Sequence, residues 1–129
     1  MKKVLLVLSI VALTSCAFAQ KVISYPFGAA QTFTAATSGT IAVTVNNQMA
    51  IMSAPTLTAA ATLSISAASS LKAGAILLVS VKTNATEVTT FAGAVVSPTV
   101  AGVSGKTWTQ GFIYNGSVFY PMGTKQQVD

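Results

Sequence analysis

Histidine and arginine are absent from this chain of 129 residues, and cysteine occurs once, at Cys16. Acids are almost as scarce: Glu87 and Asp129 are the only two. General acid–base, nucleophilic and metal chemistry draw on His, Cys and paired carboxylates. Beyond residue 19 the chain offers no His-based dyad, no internal carboxylate pair and no ordinary metal cage. A calcium site would need several oxygen ligands, normally more than one carboxylate among them. The composition therefore points away from an enzyme and calls for no cofactor or metal. Charge of either sign is sparse, at 7% of residues against about 25% in ordinary domains. The lysines are scattered singly after Lys3, which excludes the clustered basic surface that nucleic acid requires. No apolar run reaches the length of a membrane span.

What is present begins with an export signal. Lys2 and Lys3 precede an apolar run over 4–13, and Ala17-Phe18-Ala19 supplies a small-x-small cleavage pattern. This order of charge, apolar stretch and cleavage site is that of a signal peptide over 1–19, with Gln20 as the mature N-terminus. A second processing route also fits. Leu13-Thr14-Ser15-Cys16 resembles a lipobox, in which Cys16 is lipidated and the protein is held at a membrane. The expected location is secreted or cell-surface in the first case, an outer-membrane lipoprotein in the second. Cleavage after Ala19 removes Cys16, so the mature domain must hold together by burial or assembly rather than by disulfides.

Residues 20–129 read as all-β, specifically an antiparallel β-sandwich of jelly-roll-like build. Thr, Val, Ile and aromatics dominate, caps and helical periodicity are missing, and turn residues recur every eight to twelve positions or so. Strands are expected over 21–25, 31–35, 40–45, 48–52, 56–66, 75–83, 86–91, 107–114 and 117–122. Asn46-Asn47 reads as a hairpin turn between the third and fourth of these, and Asn115-Gly116 as another near the C-terminus. Period-two alternation runs through 56–66, from Leu57 to Ile65 on one face. The stretch 75–83 is nearly all apolar, which suits a central strand. Residues 123–129 read as a loose tail. Three parts follow the signal: 20–56, richer in Ala, Thr and Gln; a sandwich core over 57–122; and the tail. No internal repeat stands out.

Two clusters invite a functional reading. Val22, Ile23, Tyr25 and Phe27 lie on a segment with no hairpin partner, and apolar surface costs about 25 cal/mol per Å² to leave in water. They are candidates for a subunit contact, with 20–56 as a subunit-exchanging arm. Trp108, Tyr114, Phe119 and Tyr120 fall on the last hairpin. Exposed, they would form a platform for stacking sugar rings; packed inward, they would form core or interface, as hairpin aromatics generally do. Asn84-Ala85-Thr86 and Asn115-Gly116-Ser117 match a glycosylation sequon but sit where a turn wants Asn anyway. Lys82 and Glu87 flank the Asn84-Ala85 turn and can pair across it.

The runs LSISAASSLKAGAILLVSVKTNATEVTTF and GKTWTQGFIYNGSVFYP give 57–120 a likeness to a known build. An alternating strand, a loop ending in Gly, an apolar strand, a threonine-rich strand and an aromatic hairpin around Asn-Gly follow in order. This resembles the small β-sandwich, jelly-roll-type modules of bacteriophage tail and head fibres. The resemblance implies trimers packed about a threefold axis. The export signal departs from it, because virion proteins assemble in the cytoplasm. The expectation is thus a secreted structural or adhesive subunit whose partner is itself, as trimer or filament. A glycan- or surface-binding module is the alternative.

Overall fold

The computed structural model describes residues 29–34, 36–53 and 56–128. Ten strands and no helix occur among them: β1 (Gln31–Thr34), β2 (Gly39–Val45), β3 (Met49–Ser53), β4 (Ala61–Ala67), β5 (Ile76–Lys82), β6 (Val88–Gly93), β7 (Val100–Ala101), β8 (Thr107–Tyr114), β9 (Phe119–Pro121) and β10 (Gln126–Val128).

The first six strands alternate between two sheets. β1, β3 and β5 stack in parallel in one, and β2, β4 and β6 stack in parallel in the other. The chain thus coils, two strands to a turn, before the C-terminal third reverses. β8 runs antiparallel to β5, β7 antiparallel to β6, and both β9 and β10 pair antiparallel with opposite ends of β8. One sheet has six strands, in the order β1-β3-β5-β8 with β9 and β10 sharing the last edge; the other has four, β2-β4-β6-β7.

The sheets face each other across one core. Inward positions alternate along every long strand, as period two requires. Val43, Leu63 and Ile65 come from one sheet and Met52, Leu77, Val79 and Phe112 from the other, all within one buried cluster. Phe91 crosses between the layers, its ring 6.2 Å from Trp108 and 5.3 Å from Phe112. Parallel stacking puts like residues in columns: Ile41 beside Leu63 beside Phe91, and Val43 beside Ile65 beside Gly93. Gly93 has φ of 83°, and any Cβ there would collide with the Ile65 carbonyl. Only glycine meets both demands.

Four sequence expectations are corrected. The pairing is mixed, not antiparallel throughout: four of the eight ladders are parallel, and a jelly-roll winding does not describe the first six strands. Asn46-Asn47 is not a hairpin turn, because β2 and β3 lie in different sheets. The alternation over 56–66 does not form one strand. The chain bends over 58–60, Leu57 bridges to Thr83 of the other layer, and β4 begins at Ala61. The tail is partly a strand, since Gln126, Gln127 and Val128 pair with Thr109, Trp108 and Thr107. Residues 39–45 pair with β4 and residues 49–53 with β5. The expected strand over 21–25 and the signal peptide over 1–19 lie outside the described residues.

Candidate functional surfaces

The aromatic hairpin is built as its turn chemistry dictates. Gly116 takes φ of 104°, and the Asn115 side-chain oxygen accepts from the amides of Ser117 and Val118, each at 2.9 Å. With that geometry β8 sends Trp108, Gln110, Phe112 and Tyr114 inward, and β9 sends Phe119 with them. Trp108 is 3% exposed, Tyr114 8% and Phe119 0%. Tyr114 and Phe119 pack with centroids 4.9 Å apart. Only Tyr120, 43% exposed, points outward. The four candidates do not form a sugar-stacking platform; three are core. Cys16, Val22, Ile23, Tyr25 and Phe27 lie outside the described residues.

Catalytic geometry is thin. Both carboxylate oxygens of Glu87 accept from the Ala85 amide, at 3.0 and 2.8 Å, which closes the 84–87 turn. Ser104 Oγ donates to the Asn84 carbonyl at 2.9 Å on the same corner. No group of three His, Cys, Asp or Glu that could hold a metal occurs among the described residues. A cleft of about 500 Å³ lies near β7 and β9, with Pro98, Val100, Gln110, Pro121, Thr124 and Lys125 in its lining. Gln110 is buried there, its side-chain nitrogen donating to the carbonyls of Gly111 at 2.9 Å and Gly123 at 3.3 Å. Lys125 Nζ donates to the Ala101 carbonyl at 3.3 Å. The cleft presents hydroxyls and one cation without a carboxylate or imidazole to activate them. It can seat a small group but offers no acid–base pair.

Three other surfaces are better formed. At the N-terminal side both sheets end together. β1 and β2 are the outermost strands of their sheets, and among the described residues each is paired on one side only. The chain enters β1 from the corner at the end of β2. Asn47 Nδ2 donates to the Ala29 carbonyl at 3.0 Å, and the Gln31 side chain accepts from the Asn46 amide at 2.7 Å while donating to the Thr44 carbonyl at 2.9 Å.

The two outer faces of the sandwich differ in chemistry. Outward from the four-stranded sheet lie Thr40, Thr62 and Thr90 in one row and Ala42, Ser64 and Ala92 in the next, by ladder register. Thr44 and Ser66 follow, with Ser66 Oγ donating to Thr44 Oγ1 at 3.0 Å. Outward from the six-stranded sheet lie Met49, Ile76, Ile113 and Tyr120 in one row, and Ile51, Leu78 and Gly111 in the next. Met122 extends this second row, its amide donating to the Gly111 carbonyl at 2.8 Å. The apolar strand expected over 75–83 is indeed central, with Leu77, Val79 and Val81 in the core. Its other face, Ile76 and Leu78, belongs to this apolar exterior. Sequence reading missed the exterior because its residues become neighbours only through the pairing of four strands.

No family model, no curated protein and no solved structure matches the chain.

Proposed function

We propose that this protein is an exported structural or adhesive subunit that assembles with copies of itself, as a filament or a closed fibre-like oligomer. The observation that carries the reading is the pair of one-sided strands, β1 and β2, at the same end of the sandwich. A one-sided strand presents a row of backbone donors and acceptors that another strand can take up. Proteins commonly blunt such edges with charge, Pro or short strands. β2 has none of these: its seven residues, GTIAVTV, carry no charge and no proline. The far end differs, since β7 has two residues and β9 includes Pro121.

The expected subunit-exchanging arm is a candidate occupant of the β2 edge. The hydrogen bonds of Ala29 and Gln31 to the 46–47 corner bring the chain in from that side. A strand over 21–25, from the same chain or exchanged from a neighbour, would fit. Exchange closes a ring or propagates a filament according to the rotation between subunits.

The export signal supports a role outside the cytoplasm, and the low charge suits close, repeated contacts. Electron microscopy of the secreted protein tests the reading. Fibres or discrete oligomers are expected; uniform particles of monomer size would overturn it.

A further inference from the structure

The cleft beside β7 and β9 has a use that self-assembly does not call on. We infer that it binds a small carboxylate with an apolar body and a hydrogen-bond donor, such as a hydroxyl, at the end remote from the charge. The inference goes beyond the assembly reading and is independent of it.

The floor supplies the most specific feature. Gln110 is 6% exposed, and its amide nitrogen is turned to the carbonyls of Gly111, Met122 and Gly123, at 2.9, 3.5 and 3.3 Å. An amide nitrogen only donates and an amide oxygen only accepts, so carbonyls gathered around one end fix which way the side chain lies. No described residue donates to its oxygen. Among the described residues the sealed polar atoms without a partner are Thr89 Oγ1 and Trp108 Nε1, and this oxygen is not one of them. Neither sealed nor paired, on a residue that lines the cleft, it is an acceptor held out to whatever enters. A ligand that covers it must bring a donor, because an acceptor covered without one is penalised.

The walls and mouth set the rest. Val100 is buried, and Pro98 and Pro121 stand in the lining with it. Proline has no backbone N–H, so these walls offer apolar surface rather than donors. Lys125 is exposed, and no Asp or Glu accompanies it in the lining. Its ammonium has three donors, of which one goes to the Ala101 carbonyl at 3.3 Å. That bond steadies the charge and leaves the other donors to an anion. Acceptor at depth, apolar walls and cation at the surface together describe the ligand. The volume of about 500 Å³ falls within the roughly 300–1,000 Å³ of small-molecule sites, which likewise combine apolar walls with a few fixed polar groups.

Three probes of one shape separate these contributions: para-hydroxybenzoate; benzoate, which lacks the donor; and para-hydroxybenzamide, which lacks the charge. Equilibrium dialysis against residues 20–129 measures each, whatever the size of the assembly. The expected result is saturable binding of para-hydroxybenzoate, with the other two about tenfold weaker, the size of one hydrogen bond. Lys125→Gln should abolish the preference for the acid over the amide and keep the preference for the hydroxyl, a split that a folding defect would not produce. Thr124→Glu, which sets a carboxylate in the lining, should weaken both acids and spare the amide. Lys82→Gln, away from the cleft, should change nothing. Equal binding of the three probes, no saturable binding at millimolar concentration, or binding unmoved by Lys125→Gln and Thr124→Glu overturns the site. None of these outcomes bears on self-assembly, which is read from mass.

Discussion

Thr89 and Gly93 show how tightly single positions in β6 are specified. Thr89 is fully buried, and its hydroxyl has no hydrogen-bond partner among the described residues; the Trp108 indole nitrogen is in the same position. An unpaired buried polar group costs about 1–3 kcal/mol, and an apolar replacement of the same shape removes that cost. Thr89→Val is therefore expected to stabilise the protein by about 1 kcal/mol, read as a shift of the urea midpoint at unchanged slope. Gly93→Ala acts in the opposite sense. It places a methyl group against the Ile65 carbonyl in a backbone conformation that alanine resists. A loss of at least about 2 kcal/mol is expected in the same titration, because clash and strain add. Glu87→Gln should leave the fold intact, since an amide oxygen can still accept from the Ala85 amide; a loss of the β-spectrum would contradict that turn role. Residue types were informative where chemistry is local. Asn115-Gly116 announced its hairpin, and the shared face of Trp108, Phe112 and Tyr114 followed from their period-two spacing, though not which way that face points.

Strand positions were legible and strand partners were not. Eight expected strands, from 31–35 to 117–122, overlap observed ones, because alternation and β-branched content are properties of the segment itself. Pairing depends on where a turn sends the chain. Three residues, Asn46 to Gln48, connect β2 to β3. A hairpin loop has that length, but so does a crossing between sheets about 10 Å apart, at about 3.3 Å per residue. The turn residues mark the bend and do not reveal whether it returns beside its own strand or passes to the other layer. The bend over 58–60 was hidden for a similar reason. Thr58, Ala59 and Ala60 are small enough to leave the alternation without burial cost. At β10, the sequence QQV carries too little apolar character to read as strand, and its place is fixed by the open edge of β8. The hairpin turn offers a clean test at this scale. Asn115→Ala removes the acceptor for two amides and should cost about 1–2 kcal/mol, measured by denaturant unfolding. An unchanged midpoint would mean that Gly116 alone sets the turn.

At the scale of the whole molecule the structure is a slab with two unlike faces and two unlike ends. One outer face carries two apolar rows and the other is mostly hydroxyl-bearing; one end carries strands that, among the described residues, are paired on one side only, and the other is closed by short ones. None of this was visible in the linear sequence, because each feature is a register property of several strands. The low charge was visible, and it directed attention to assembly before any surface could be named. The candidate aromatics were visible too, but three of them serve the core. The central claim is that the one-sided strands are completed by further copies of the chain. Sedimentation velocity of residues 20–129 across a wide concentration range tests it most directly. The account predicts species heavier than a monomer that grow with concentration; a single monomeric boundary at every concentration would contradict it.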